Sequence, residues 1–173
     1  MQNDVFQIKV CKSDSDILDT YNVMQQLRKV EQAEYLARIN HQRKQGYQLV
    51  SLYDEQSVCR GVLGFKTEDR LYPGKIIYVF DLVIDQTARS HGYGAKLISW
   101  LKQQAVEQNC KAIVLDSGVQ RPKAHKFYFN QGFEVTSYNF KMFTPAKEDK
   151  VEFLDATNIS KISDYRQHPS AKL

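Results

Sequence analysis

Ile76–Leu97, IIYVFDLVIDQTARSHGYGAKL, passes from a nearly unbroken apolar stretch through a polar turn with two glycines into the start of an amphipathic segment. The stretch Ile76–Ile84 reads as a central strand covered on both faces, because a strand with one wet face would alternate. Beyond the turn, Ala95–Gln108 sets Leu97, Ile98, Leu101 and Ala105 at helical spacing. A buried strand that feeds a helix through Gly92 and Gly94 makes an anion site: glycine lets the backbone approach a ligand, and the first helical N–H groups and the helix dipole favour phosphate. Arg89, His91 and Lys96 add donors. Two common phosphate motifs are excluded here, since no Gly-Lys is followed by Ser or Thr, and Leu97 stands where a dinucleotide fingerprint needs its third glycine.

Working outward, Val5–Val10 reads as a first strand, and Ser13–Asp16 supplies capping residues for a helix with Ile17, Leu18, Tyr21 and Met24 on one face. A second helical stretch covers Glu31–Gln45 and ends at Gly46. Tyr47–Tyr53 and Val58–Lys66 form a hairpin turning at Asp54, Glu55 and Gln56, and Asp69–Gly74 is a loop. Past the central helix come a strand at Ala112–Leu115, a helix that opens at Pro122 and stops before Gly132, and a closing strand at Phe133–Phe143. The order β-α-α-β-β-β-α-β-α-β implies a mixed sheet with helices on both faces. Residues 5–145 are expected to form the domain, and 146–173 a polar tail.

At 173 residues with 42% hydrophobic content, the chain suits one α/β domain with its own core. The longest apolar run is far shorter than the roughly 20 residues of a membrane span, and MQNDVFQIKV lacks the pattern of a secretory leader, so a cytoplasmic location is expected. Cys11, Cys59 and Cys110 are odd in number and widely spaced, which argues against a disulfide framework and a zinc site. The net charge of +4 is modest. From Lys147 onward acidic and basic residues balance, so the excess lies in the body, and no interleaved basic and aromatic stripe marks a nucleic-acid surface.

The hexapeptide RSHGYG, Arg89–Gly94, resembles the acetyl-CoA loop of GNAT acetyltransferases, whose pattern is Gln or Arg, two residues, Gly, one residue, then Gly or Ala. A second resemblance lies in AIVLDSGVQRPKAHKFYFNQGFEV, where Phe127, Tyr128, Gly132 and Phe133 match the Phe-Tyr-x-x-x-Gly-Phe segment of the same superfamily. Together they cover roughly Val5–Met142. The resemblance implies a mixed, mostly antiparallel central sheet and an acetyl-CoA-dependent N-acetyltransferase that needs no metal. Main-chain groups around Arg89, Ser90, His91, Gly92, Tyr93, Gly94, Ala95 and Lys96 would hold the pyrophosphate of CoA. The strand Leu82, Val83, Ile84 would meet the pantetheine arm, Leu82 and Ile84 through their main chains. Gln86 replaces a proline common before this loop.

Acetyl transfer requires a neutral amine, a stabilised oxyanion and a protonated leaving thiolate. Tyr128 sits where the family has its general acid, and the Ile84 amide is the expected oxyanion donor. Two carboxylates compete to assist deprotonation. Asp81 interrupts the apolar strand, where a charge is costly unless paired or wet. Its position resembles an acidic residue lining the amine pocket of polyamine acetyltransferases, although Phe80 takes the place of the preceding acid. Asp116 ends the next strand twelve residues before Tyr128, like the Glu and Tyr pair of ribosomal-protein N-terminal acetyltransferases, and would otherwise cap the turn through Ser117 and Gly118.

His91 and His125 read as solvent-facing donors. Arg121, Lys123 and Lys126 are either a solvated helix face or contacts to the CoA 3′-phosphate, and Tyr35, Tyr47 and Tyr72 are placed around the acceptor by the same resemblance. The partners implied are acetyl-CoA and a primary amine, with a small polyamine or aminoalkyl compound favoured over a protein lysine or N-terminus. A homodimer is compatible with this reading, whereas nucleic acid and membrane are not expected partners. A CoA-binding sensor without turnover is the alternative.

Overall fold

The structure, a computed structural model, describes residues 6–143. Five strands lie in the order β1 (Gln7–Val10), β2 (Tyr47–Tyr53), β3 (Cys59–Asp69), β4 (Lys75–Ile84) and β5 (Ala112–Leu115). The first four pair antiparallel and β5 joins β4 in parallel. This is the expected mixed, mostly antiparallel α/β architecture. Helices α1 (Asp14–Asp19), α2 (Tyr21–Met24) and α3 (Gln32–Arg43) precede β2, α4 (Tyr93–Glu107) connects β4 to β5, and α5 (Pro122–Asn130) follows β5. Among the described residues no helix is long and apolar enough to cross a membrane.

Strand alternation sorts the core into two layers. Leu49, Val62 and Val83 pack with Ile17, Val23, Met24, Tyr35 and Ile39 from α1–α3, while their neighbours Val50, Leu63 and Leu82 pack with α4. The spacing of Leu97, Ile98 and Leu101 seats one stripe of α4 on that second face. All three are fully buried, and each contributes about 2 kcal/mol by leaving water.

Ser13 caps α1 as expected, accepting from the Asp16 N–H while Asp16 reaches back to the Ser13 N–H. The helix that follows is broken rather than continuous. The Thr20 hydroxyl donates to the Ile17 carbonyl at 2.6 Å, a local bond that competes with helical propagation. The break turns Leu18 outward and leaves Ile17, Val23 and Met24 as the buried residues. Hairpin β2–β3 turns as expected, with the Asp54 carboxylate accepting from the Gln56 and Val58 amides and from Arg60.

The expected closing strand is a correction: Phe133–Phe143 contains no strand. A β propensity expresses fit to a pleated, half-buried neighbour, and the apolar residues that suggested a strand, Val135, Tyr138, Phe140, Met142 and Phe143, are all exposed. The chain divides into one unit through Thr136 and a second from Ser137 onward. The expected boundary at residue 145, the tail 146–173 and Val5 of the first strand lie outside the described residues.

Candidate functional site

The site begins where two strands part. The parallel β4–β5 ladder runs from Ile76↔Ala112 to Val79↔Leu115 and stops, although β4 continues to Ile84. At the same point the β3–β4 register skips Phe80, since Phe65 faces Val79 and Gly64 faces Asp81. Such a bulge bends and twists its strand, and β4 beyond Val79 has no β5 partner, which leaves a wedge beside it.

One side of the wedge is the main-chain edge of β4. The Asp85 N–H donates to the Arg60 carbonyl at 2.8 Å, while Gly61 stands opposite Ile84 and Leu63 opposite Leu82. Bonded and non-bonded pairs alternate along an antiparallel ladder, so Leu82 and Ile84 turn their N–H and C=O groups away from β3, into the space β5 has left. Val83 turns its own back to β3, and its side chain joins the α1–α3 core. The Arg89 Nε reaches the Ile84 carbonyl at 3.4 Å.

From Ile84 the chain passes a short 3-10 turn, Gln86–Ala88, held by Asp85, whose carboxylate accepts from the Thr87 amide and from Arg60. Ser90 and Gly92 adopt left-handed φ values of 68° and 79°, which turn the loop into α4. The first helical bond runs from the Lys96 N–H to the Gly92 carbonyl, leaving the amides of Tyr93, Gly94 and Ala95 ahead of the helical ladder. Gly94 serves another purpose: a Cβ there would lie 3.1 Å from Phe127 Cζ, so its bareness lets α5 close on the start of α4. The His91 Nδ1 pairs with the Arg89 carbonyl, and the Lys96 ammonium lies over the rings of Phe6 and Tyr93. Amides at the start of a 15-residue helix can bind phosphate oxygens, and an unpaired strand edge can bind an extended, amide-bearing chain.

On α5, Tyr128 packs edge-on against Phe127 and Phe133, and its hydroxyl has no protein partner among the described residues. Burial pushes the phenol above its ordinary pKa, with the nearby Arg121 charge acting in the opposite direction. The group is therefore protonated at neutral pH, as an acid must be. His125 is tied to the Gly118 carbonyl.

The carboxylates differ sharply. Asp81 is buried on the α1–α3 side with both oxygens engaged: Oδ1 accepts from Arg28 Nε at 2.7 Å and Oδ2 from the Tyr47 hydroxyl at 2.8 Å. Tyr47 reaches it by crossing Gly64, where an added Cβ would sit 1.8 Å from the phenol oxygen. Burial first, then the Asp81 charge and hydrogen bond, raise the Tyr47 phenol well above its usual range. Asp116 is exposed just past the end of β5 and accepts a short hydrogen bond from the Tyr78 hydroxyl. Burial, followed by that bond, pushes Tyr78 up to about 12. Rings of Tyr78 and Phe80 meet edge to face at 4.8 Å, and Phe80 meets Tyr47 at 6.0 Å, so an aromatic row links the two acids.

Of the tyrosines placed around the acceptor, Tyr35 is instead a core residue bonded to Thr20, Tyr47 is buried against Asp81, and Tyr72 is exposed. The sequence reading omitted Arg28 and Tyr78. Nothing in the Leu-Arg-Lys context of Arg28 marks it, but a tyrosine two residues before Phe80 in a largely aliphatic strand and two glycines inside β3 are legible signals.

A model of the acetyltransferase (GNAT) family matches residues 16–133. The chain is 30% identical over 140 residues to an uncharacterized N-acetyltransferase, YhdJ, of Bacillus subtilis, covering 79% of this chain and 98% of that protein. A shorter similarity, 25% over 60 residues, joins 35% of this chain to 39% of the aminoalkylphosphonate N-acetyltransferase of Salmonella typhimurium. The fold matches an aminoglycoside antibiotic 6'-N-acetyltransferase from Acinetobacter baumannii with a TM-score of 0.71 at 14% identity, over 82% of this chain and 99% of that one. With a family match over residues 16–133 and a relative aligned over nearly its whole length, the chain belongs to the GNAT family and is an acetyl-CoA-dependent N-acetyltransferase.

Proposed function

We propose that this enzyme acetylates the primary amine of a small molecule by direct attack in a ternary complex, with acetyl-CoA along the β4 edge and the acceptor on the α1–α3 side. The observation that carries the reading is the wedge. Its outward main-chain groups and the α4 amides suit an extended phosphate-bearing chain, while the opposite side offers side-chain acids and aromatic rings. Leu82 and Ile84 would hold the amide-rich arm, and the amides from Arg89 through Ala95 the pyrophosphate. Acetyl-CoA supplies the activated acetyl group when bound.

The remaining chemistry belongs to the chain. Tyr128 carries the proton for the departing sulfur, and the Ile84 N–H donates to the carbonyl oxygen as negative charge develops there. Asp116 takes, through water, the proton that the acceptor's ammonium gives up to become the attacking neutral amine, because its carboxylate is exposed at the mouth. Asp81, held by Arg28 and Tyr47, has the positioning role. The aminoalkylphosphonate acetyltransferase named above acts on a small amine, which favours the same acceptor class here. Three free thiols among the described residues are in keeping with a cytoplasmic site of action.

The test follows CoA thiol release with polyamines, aminoalkyl acids, neutral amino alcohols and lysine-bearing peptides, for the native protein and Tyr128→Phe. Release with small amines, reduced about 100-fold in kcat by the substitution, is the expected result. Release with peptides alone would overturn the small-molecule reading, and an undiminished Tyr128→Phe variant would remove Tyr128 as the acid.

A further inference from the structure

We propose that Arg28 is the anion-binding group of the acceptor site, so that the preferred acceptor is an amine tethered to an acidic group, a phosphonate or a carboxylate, rather than a polyamine. The inference rests on the small-amine reading above and adds the second pole of the substrate. Arginine has five N–H donors in a rigid fork. Here Nε donates to Asp81 and Nη2 donates to the Phe80 carbonyl at 2.6 Å. Those two bonds occupy one edge of the guanidinium. The end-on edge, formed by Nη1 and the second N–H of Nη2, has no protein partner among the described residues, and the side chain is 52% exposed.

The location matters as much as the spare donors. The Phe80 carbonyl belongs to the bulged residue at which β4 leaves β5, so Arg28 is fixed at the mouth of the wedge. Its anchors are a buried carboxylate and a main-chain oxygen, and a guanidinium oriented in advance loses less freedom on pairing with an oxyanion. A planar end-on edge matches two oxygens of a carboxylate or phosphonate. Across the rings of Phe80 and Tyr78 stands Asp116, with negative charge for the ammonium end. Arg28 also satisfies Asp81, which removes the carboxylate that would otherwise draw a second ammonium to this end.

The experiment compares chain-matched acceptors within each protein: 2-aminoethylphosphonate, β-alanine, a neutral amino alcohol and a diamine. Native enzyme is expected to favour an acid-bearing amine over the alcohol at least tenfold in kcat/KM, mainly through KM. Arg28→Gln should bring that ratio close to one, and Arg28→Lys should restore part of it. Because losing Arg28 strands a buried charge, the Arg28→Gln/Asp81→Asn pair is measured alongside, and its ratio should collapse in the same way. The phosphonate and β-alanine arms separate the two acids. A native preference for the diamine, equal use of acid and alcohol, or a ratio that survives Arg28→Gln would overturn the proposal. If none of the amines is acetylated, the small-amine reading fails, and calorimetric titration of the CoA-bound protein with 2-aminoethylphosphonate decides the anion site separately. Binding weakened in both Gln-containing variants upholds it, and no binding to native protein overturns it.

Discussion

The two faces of the sheet are built from different materials. Against α4, the core is aliphatic and aromatic: Val50, Leu52, Leu63, Phe65, Ile77 and Val79 meet Leu97 and Leu101. Against α1–α3, the same sheet buries Ser51 and Asp81, and the helical layer over it buries Asp16 and Thr20. Each of these is satisfied, Ser51 with Cys11 and Lys9, Thr20 with Tyr35, Asp16 with Lys9, and Asp81 with Arg28 and Tyr47. The division suits the placement proposed above for the two ligands. A donor common to a whole family can be held by main-chain groups on a rigid apolar base, whereas recognition of one acceptor requires particular side chains, which must be positioned by buried hydrogen bonds.

The strongest test of this division is Leu101→Ala. The residue is fully buried on the apolar face, and its truncation should cost about 3 kcal/mol and lower Tm by roughly 6 to 12 °C, with the preference among acceptors unchanged. A changed acceptor profile in thermally intact protein would show that the apolar face also selects the acceptor. Gly64→Ala addresses the other face. The new methyl group would displace Tyr47 from Asp81, costing about 2 kcal/mol, and should raise the acceptor KM while leaving that for acetyl-CoA unaltered. Steady-state kinetics with each substrate varied in turn would expose any crossover.

Gly94→Ala sharpens the donor side. A Cβ 3.1 Å from Phe127 must push α5 away from the loop, and the KM for acetyl-CoA should rise about fivefold, roughly 1 kcal/mol, with little change for the amine. The smallest effect concerns Asp16. Its pKa is lowered by the Lys9 ammonium, then by the Ser13 and Lys12 amides. A depressed carboxylate contributes stability above its unfolded value near 3.8 and loses that contribution as pH falls through its folded value. Urea midpoints should therefore decline less between neutral pH and about pH 3 in Asp16→Asn than in the native protein; equal declines would show that the pair adds nothing.

The local and repetitive parts of the molecule are legible in the chain alone. Helical spacing located α4, the unbroken apolar run located β4, and glycines with a following amphipathic stripe located the loop between them, because periodicity and backbone freedom are properties of neighbours in the chain. Asp81 was identifiable as costly, but not as already neutralised, since its partners are Arg28, 53 residues away, and Tyr47, 34 residues away. Asp116 likewise acquired its phenol partner only through the parallel pairing that brings Tyr78 beside the end of β5. For Phe133–Phe143, β propensity was legible without a neighbouring strand to satisfy it. Only the folded arrangement shows that Asp81 is buried with Arg28 and Tyr47 while Asp116 is exposed beside Tyr78, because electrostatic pairing depends on separation in space, which neighbours along the chain do not fix.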